Sequence, residues 1–489
     1  MRVFLDGMEV DNLDARAGGA LDLAELQLWS LEEVTIERGA DELRVYCRSW
    51  SVQRTTTSTR IDVVTGDQRT NLYRAFFGRR FQHGELLQVG GQSYGTSSDQ
   101  GVGGGNELSL FARLGWAKGS WSVDGYLMHA ERTRDLRQQD IGNTLLEPDI
   151  PEQRRLRADM YFRTGYGDPD SGVWAQAMVA HSNVREHSPF GALANLPVDS
   201  ADTTRTSTQY IVTGGLTRWG LRLSAAERYH QLQTGGVGAT EVRASFEHRL
   251  LALSLYAERR GADSSSTEEA TARLTPLPFF AVAGTIARRH GGTAFGDEDE
   301  VSARIEAGIK LHQAWIAGGI WRRAQAVVPG LTAFDTAYKS QPTVSATGPF
   351  VTVRGKVWRD IGLNIWAVRW DSPGFYRPQL QSHEELYIDT QWLKRFPSKH
   401  FRLVAGIAHE YRQDVMFPVS NVTESLSDPN GIVASFSHAI VGRIEFHILD
   451  ATIFFNSYSG MSPTRVEQVR GYLLPTQRLQ YGVRWQFWN

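Results

Sequence analysis

Residues 301–311 have the sequence VSARIEAGIKL, in which apolar side chains alternate with polar or small ones. Successive side chains of a β-strand point to opposite faces of its sheet, so this segment has one apolar and one polar face. The same alternation occurs in residues 156–163, 242–247, 386–389 and 479–487. The pattern predicts a β-sheet that is apolar on one side and charged on the other.

Short turns alternate with long polar loops between these segments. Tight turns are expected at residues 118–120 and 218–220, and long loops at residues 183–204, 326–348 and 412–431. Strands of about 10 residues joined in this way are typical of outer-membrane β-barrels, which close because lipid cannot satisfy a free strand edge. The prediction is therefore an all-β fold, a transmembrane antiparallel β-barrel.

The number of strands follows from the turns. Counting from residue 58 to the C-terminus gives ~22 strands, and barrels of about that number have a plugged lumen. A soluble β-sandwich array or a propeller is the alternative, since antiparallel sheets with one wet face alternate as well. Aromatic side chains beside the turns favour the barrel, because Trp and Tyr form girdles at membrane interfaces. These residues are Trp116, Trp121, Trp219, Trp358, Trp370, Tyr411 and Tyr458.

Composition limits the class of protein. The 489 residues are 41% hydrophobic and 22% charged, and no apolar run approaches the ~18 residues of a membrane-spanning helix. A net charge of −2 does not favour a nucleic acid partner. The single cysteine, Cys47, excludes a disulfide framework and a cysteine-based zinc or iron–sulfur site. The N-terminal residues lack the basic and apolar regions of a signal peptide, so we expect either a cytoplasmic protein or a mature or truncated chain.

The C-terminal strand resembles a known assembly signal. Residues 480–487, QYGVRWQF, match the pattern of a polar residue, a glycine and two hydrophobic residues that the outer-membrane barrel assembly machinery recognises. Two further residues follow the signal, whereas such proteins often end on the aromatic residue. The resemblance implies that the barrel assembly machinery is a partner. The matching positions are Gln480, Gly482, Trp485 and Phe487.

The N-terminus resembles the plug domain of TonB-dependent outer-membrane receptors. Residues 3–8, VFLDGM, are similar to its V-x-[VL]-D-G-V strand. Residues 21–23, LDL, and 31–39, LEEVTIERG, are similar to its L-D-L and I-E-R-I-E-V-x-R-G segments. The resemblance implies a partial, α+β plug domain at residues 1–54, ahead of the barrel at residues 55–489. A short αβ segment with an amphipathic helix at residues 21–31 is the alternative. The motif residues are Asp6, Gly7, Glu37, Arg38 and Gly39.

Charged side chains are predicted on the lumen face of the strands. Arginine binds carboxylates through two parallel hydrogen bonds, so opposite charges inside a wide barrel would form ion pairs that stabilise the wall and hold a plug. A path lined for anions is the alternative. The residues are Arg243, Glu247, Arg304, Glu306, Arg354, Asp389 and Arg484.

Signals for catalysis or metal binding are weak. Residues 91–95, GQSYG, match the G-x-S-x-G nucleophile elbow, but no predicted helix follows the serine as that turn requires. The acidic residues 296–300, GDEDE, could bind Ca²⁺ but are interpreted as a solvated loop. His383 and His409 lack the spacing of a zinc-binding helix. We therefore predict no enzyme activity, no cofactor and no metal site.

The resemblance to TonB-dependent receptors implies an outer-membrane transporter that takes up a scarce solute through a plugged barrel. A passive porin-like channel and a structural barrel that docks a partner complex are the alternatives. The predicted location is the bacterial outer membrane, and the predicted partners are its lipid and lipopolysaccharide, the barrel assembly machinery and an unknown small solute. The family's TonB-box peptide is not recognisable in this sequence, so the TonB complex stays an open partner.

Overall fold

The protein is built of β-strands. Within the described residues there are 34 strands, numbered β1–β34 in chain order, and one short 3₁₀ turn. No helix in these ranges is long and apolar enough to cross a membrane. The all-β prediction is confirmed. The computed structural model describes residues 2–10, 25–97, 104–135, 139–141, 144–146, 152–187, 202–233, 235–261, 264–291, 300–328, 330, 339–391, 400–419, 422–461, 466–469, 472–474 and 476–488.

The main element is a closed barrel, which has 22 antiparallel strands in the described part of the chain. Strand β34 closes the sheet on β5, with Trp485 opposite Ile61. The predicted barrel and its number of strands are confirmed. The barrel strands are β5 Ser58–Gly66, β6 Thr70–Arg80, β7 Glu85–Thr96, β8 Gly105–Lys118, β9 Trp121–Asp135, β12 Glu152–Asp168, β13 Ser171–His187, β14 Asp202–Arg218, β15 Leu221–Leu232, β16 Gly235–Glu247, β17 Leu251–Arg260, β18 Ser265–Leu277, β19 Phe280–His290, β20 Glu300–Leu311, β21 Gln313–Arg323, β24 Ala346–Trp358, β25 Ile361–Arg369, β26 Leu380–Thr390, β27 Phe401–Arg412, β30 Ser437–Ile448, β31 Ala451–Gly460 and β34 Gln477–Trp488.

The two ends of the barrel differ in their connections. At the turn end, where β5 begins and β34 ends, tight turns join neighbouring strands. Trp219 and Gly220 form one of them with φ angles of 54° and 79°, the left-handed conformation that fits the twist of a hairpin. At the opposite loop end, small hairpins extend the connections. These are β10 Gln139–Ile141 with β11 Thr144–Leu146, β22 Ala326–Val328 with β23 Gln341–Thr343, β28 Val415–Phe417 with β29 Ile432–Ala434, and β32 Glu467–Val469 with β33 Tyr472–Leu473.

The outer face of the barrel is apolar. Large side chains such as Leu110, Phe162 and Ile305 are exposed there, as a surface in contact with lipid requires. Trp219, at the turn end, is also exposed, in agreement with an aromatic girdle. Trp370 is not part of such a girdle. It is buried, because it faces the inside of the barrel and packs with Ala346, Val368 and Trp321.

A separate four-stranded sheet lies in the lumen. It is formed within residues 2–10 and 25–49, and we call it the N-terminal sheet. Strand β1 runs parallel to β4, and β3 runs antiparallel to it. Side chains of this sheet contact Glu258 and Tyr161 on the inner face of the barrel. Its strands, in the order β2-β1-β4-β3, are β1 Arg2–Leu5, β2 Met8–Glu9, β3 Leu31–Arg38 and β4 Leu43–Ser49.

Some sequence features lie outside the described residues. These are the LDL motif at 21–23, the first part of the candidate helix at 21–31, and most of the acidic segment at 296–300. The described end of that candidate helix contains the 3₁₀ turn Leu28–Ser30 and the start of β3. The division into a plug at 1–54 and a barrel at 55–489 stays a prediction.

Candidate functional site in the barrel lumen

The Asp6 and Gly7 pair ties the N-terminal sheet to the barrel wall. The two residues form the turn between β1 and β2, where Gly7 has a φ of 101° that favours glycine. The Asp6 carboxylate accepts hydrogen bonds from the Ser49 amide at 2.9 Å and the Ser49 hydroxyl at 2.5 Å. It also accepts one from the Tyr161 hydroxyl of β12 at 2.8 Å. One carboxylate therefore joins β1, β4 and the wall.

Glu37 and Gly39, at the end of β3, also contact the wall. Glu37 accepts a hydrogen bond at 3.1 Å from Arg243 of β16. A Cβ at Gly39 would lie 2.9 Å from the Glu42 carbonyl oxygen and would displace the Glu269 carboxylate of β18, so this close approach favours glycine. Arg38, between them, lines a cavity. The motif residues thus lie where the sheet meets the wall.

Buried ion pairs join the N-terminal sheet to one side of the barrel. Arg2 Nη1 lies 2.7 Å from Glu258 Oε2 of β17, and both side chains are at most 5% exposed. Arg44 Nη2 lies 2.7 Å from Glu269 Oε1. Removing one partner of a buried pair costs about 3–5 kcal/mol, because the other charge is left uncompensated. Further pairs across this boundary are Glu25 with Arg155 and Arg157, and Glu42 with Arg260.

Apolar side chains fill the rest of this boundary. Val3, Met8 and Trp29 of the N-terminal segment are buried in one hydrophobic cluster with residues of the wall. The lumen of a water-filled barrel is polar, so this apolar part of the wall matches the sheet that covers it. The buried wall residues are Phe76, Leu86, Phe111, Tyr126, Met128, Tyr161, Met178, Ala180 and Ile211.

Burial and charge shift the pKa values of groups in the N-terminal sheet. Burial alone would raise the pKa of the Glu9 carboxyl, but the charges of Arg2, His230 and Arg228 outweigh burial and lower it below 4.5. Burial, followed by the nearby Asp6 carboxylate, raises the pKa of the Cys47 thiol to about 11. This thiol is therefore protonated at neutral pH and is a poor nucleophile.

We expect acid to weaken the attachment of the N-terminal sheet. Arg2 belongs to the same sheet as Glu9, so the pKa of Glu9 returns to its ordinary value of 4.5 only when the released sheet also unfolds. The docked, folded sheet therefore has the full contribution of Glu9 above pH 4.5 and loses it as the pH falls through the lowered pKa. Limited proteolysis should show cleavage near the N-terminus rising in this acid range. Glu9→Gln should flatten the profile, and an unchanged profile in this variant would assign the effect to other groups.

Two adjoining cavities lie between the N-terminal sheet and the wall. The loop-end cavity, of about 450 Å³, is bounded by residues of the turn after β3 and by the wall. The turn-end cavity, of about 790 Å³, is lined by Ile36 and Arg38 of β3 and by wall residues nearer the turn end. Arg38, Arg304 and Thr352 line both, so the cavities meet at these residues. Aromatic and arginine side chains around the loop-end cavity include Trp321, Arg323, Trp366, Trp370, Tyr376 and Arg377.

The predicted lumen charges have different surroundings. Arg243 reaches the N-terminal sheet through Glu37. Arg354 has no ion-pair partner among the described residues. The others pair along the wall: Glu247 with Arg273 at 3.1 Å, Arg304 with Glu306 at 2.6 Å, Asp389 with Arg402 at 2.6 Å, and Arg484 with Asp62 at 3.2 Å.

Apart from Asp6, Glu37 and Arg243, the charged residues that fasten the sheet were missed by sequence reasoning. Glu258 is in an alternating segment, so its lumen position had a signal in the sequence. Its partner Arg2 is 256 residues away, and no local pattern joins the two. The alternation therefore identifies which side chains face the lumen but not what they bind there.

The C-terminal and catalytic motifs lie in barrel strands. Trp485 and Phe487 are 40% and 39% exposed on the outer face of β34, while Gln480 and Gly482 occupy alternate positions on the inner face. The GQSYG segment at 91–95 lies inside β7 rather than at a strand-to-helix turn. Among the described residues, no group of three or more His, Cys, Asp or Glu side chains is arranged to hold a metal ion.

Comparison with known proteins gives matches among solved structures. No protein-family model and no curated protein matches the chain. The siderophore receptor PirA from Acinetobacter baumannii has a TM-score of 0.71 and 9% identity, over 99% of this chain and 90% of PirA. A mutant of the ferric enterobactin receptor PfeA from Pseudomonas aeruginosa has a TM-score of 0.72 and 11% identity, over 99% of this chain and 90% of PfeA. The FrpB iron transporter from Neisseria meningitidis has a TM-score of 0.69 and 9% identity, over 99% of this chain and 91% of FrpB.

The chain has the fold of the TonB-dependent receptors. The resemblance inferred from the sequence is thus confirmed at the level of the fold. At identities of 9% to 11%, the likeness to the TonB-dependent receptors concerns architecture and not ligand. A closed 22-strand barrel of this fold with an apolar outer face belongs in the bacterial outer membrane, as predicted.

Proposed function

We propose that the protein takes up a scarce solute across the outer membrane, with residues 1–54 acting as a plug. The observation that carries the proposal is the N-terminal sheet inside the lumen, held by buried ion pairs such as Arg2 with Glu258. A barrel this wide cannot be filled by side chains of its own strands, so the sheet governs passage. Because it docks through side chains, it can move while the hydrogen bonds of the barrel stay intact.

The loop-end cavity is the proposed entry site. Trp321 and Trp366 offer flat apolar faces, and Arg323 offers positive charge. Arg377 is only 6% exposed and pairs with Glu424 at 3.9 Å, so it supports the wall of the cavity. Such a lining suits a solute that combines rings with negative groups. PirA, PfeA and FrpB are named for siderophores, ferric enterobactin and iron, so iron chelates are the first solutes to test.

Uptake of labelled iron tests the proposed function. Cells that produce the protein should accumulate iron supplied as ferric enterobactin faster than cells that produce the Arg323→Ala variant at the same level in the outer membrane. Repeating the experiment in cells without the TonB complex tests energy coupling. If no iron chelate, peptide, glycan or cobalamin accumulates in either background, the proposal is wrong.

A passive channel is the second candidate, because the two adjoining cavities run beside the N-terminal sheet. Conductance in planar bilayers separates the two candidates. A plugged transporter stays closed without an energy source, whereas a passive channel conducts steadily.

We expect Trp485→Ala combined with Phe487→Ala to lower the amount of folded barrel in the outer membrane several-fold. The reason is the proposed recognition of these residues by the barrel assembly machinery. Leu479→Ala combined with Tyr481→Ala is the matched control, since both residues face outward from the same strand. Heat-modified gel mobility of outer-membrane fractions measures folded barrel. Equal losses in both variants would point to contacts with lipid or lipopolysaccharide instead.

A further inference from the structure

The turn-end cavity carries more positive than negative charge. Its lining includes four arginines and two glutamates. Both glutamates are paired, Glu247 with Arg273 at 3.1 Å and Glu306 with Arg304 at 2.6 Å. Arg38 and Arg354 remain, and neither side chain forms a salt bridge or hydrogen bond within the described ranges. The cavity therefore has a net charge of about two positive units from its own wall.

The two remaining arginines come from different parts of the molecule. Arg38 ends β3 of the N-terminal sheet, and Arg354 lies on the inner face of β24. Partial burial, and then the positive charges of Arg354 and Arg304, lower the pKa of the Arg38 guanidinium. Like charges thus act on one another across the cavity, and an anion between them would relieve the repulsion.

We propose that Arg38 and Arg354 bind a small oxyanion, through carboxylate or phosphate oxygens, in the turn-end cavity. Guanidinium groups bind such oxygens with pairs of parallel hydrogen bonds. The hydroxyl groups of Thr271, Thr285 and Thr352 line the same cavity. Thr271 and Thr285 share a hydrogen bond of 3.1 Å, so Thr352 and one hydroxyl of that pair can donate further bonds. The bound anion bridges the N-terminal sheet and the wall, and so stabilises the docked sheet.

This site goes beyond the proposed uptake function. It lies past the junction of the two cavities, on the turn-end side of the loop-end cavity where the solute would enter. Binding of an anion there can be measured without any transport. A negative uptake result therefore does not contradict the oxyanion site, and a negative anion-binding result does not contradict uptake.

Calorimetric titration of inorganic phosphate into the full chain, in detergent at low ionic strength, tests the site. We expect saturable binding of one phosphate per chain, weakened about tenfold or more by Arg354→Gln, because a hydrogen-bonded charge is lost. Arg222→Gln is the control, since Arg222 lies outside the cavity, where it pairs with the exposed Asp170. It should bind phosphate as the wild type does.

Two further measurements define the outcome. Succinate in place of phosphate distinguishes carboxylate from phosphate binding. Phosphate should also raise the resistance of the N-terminus to protease in the wild type, but not in Arg38→Gln or Arg354→Gln. If neither anion binds the wild type, or if both arginine variants bind it as tightly as the wild type does, the proposal is overturned.

Discussion

Replacing Glu258 by alanine should release the N-terminal sheet from the wall while the barrel stays folded. Glu258 accepts hydrogen bonds from Arg2 at 2.7 Å and from Arg260 at 2.9 Å, and its side chain is fully buried. Without it, Arg2 keeps only Glu9 of its own sheet. We expect a loss of about 3 kcal/mol in docking free energy, the lower end for broken buried pairs, because one partner remains.

Single-channel recordings in planar bilayers measure the release. Glu258→Ala should conduct in large steps where the wild type stays closed or conducts weakly, and its N-terminus should become sensitive to protease. Asp170→Ala is the control, since it breaks an exposed pair with Arg222 that is worth at most about 1 kcal/mol. Wild-type conductance together with a protected N-terminus in Glu258→Ala would show that this pair does not hold the sheet.

The strands of the barrel could be predicted because a membrane imposes a simple rule on them. Each strand must offer apolar side chains to lipid and polar ones to the lumen. In the segment 301–311, Ile305 is 65% exposed on the outer face, while Arg304 faces the lumen and pairs with Glu306. The count of barrel strands started at residue 58, where β5 begins. Local sequence is sufficient to predict these strands, because lipid and water make the same demand on every strand.

The contacts inside the lumen could not be predicted in this way. Trp370 has the same local setting as the girdle residues, but it packs on Trp321 with ring centroids 5.3 Å apart. Asp6 belongs to a local motif that resembles a strand of the plug domain, yet its bond to Tyr161 spans 155 residues of chain. Such pairs depend on which part of a closed wall the sheet meets, and alternation carries no information about that.

Trp29→Ala should have the second large effect, by removing the main apolar contact of the N-terminal segment. Trp29 is 8% exposed, and its ring lies edge-on to Phe111 with centroids 5.6 Å apart. It lies so close to Gly90 that a Cβ there would be 3.0 Å from its ring. Its Nε1 donates a hydrogen bond to Ser109 at 3.1 Å. Truncating a buried tryptophan costs about 3–5 kcal/mol.

Trp219→Ala is the matched control, because Trp219 is 83% exposed at the turn end and has no part in the attachment. Thermal release of the sheet, followed by proteolysis at rising temperature, should occur earlier in Trp29→Ala and be unchanged in Trp219→Ala. The midpoint in Trp29→Ala should be lower at neutral pH and in acid alike, since the lost contact is apolar. A lower midpoint in acid alone would contradict an apolar origin of the effect of Trp29→Ala.

The Glu258 and Trp29 contacts test whether the sheet is held at independent points. Trp29 packs on β7 and β8, whereas Glu258 lies on β17, and the two share no partner. Losses at separate sites add, so the double variant should lose the sum of the two docking free energies. A double variant no worse than Trp29→Ala alone would mean that the sheet first leaves the wall at the apolar contact. The ion pair would then act only in the fully docked state.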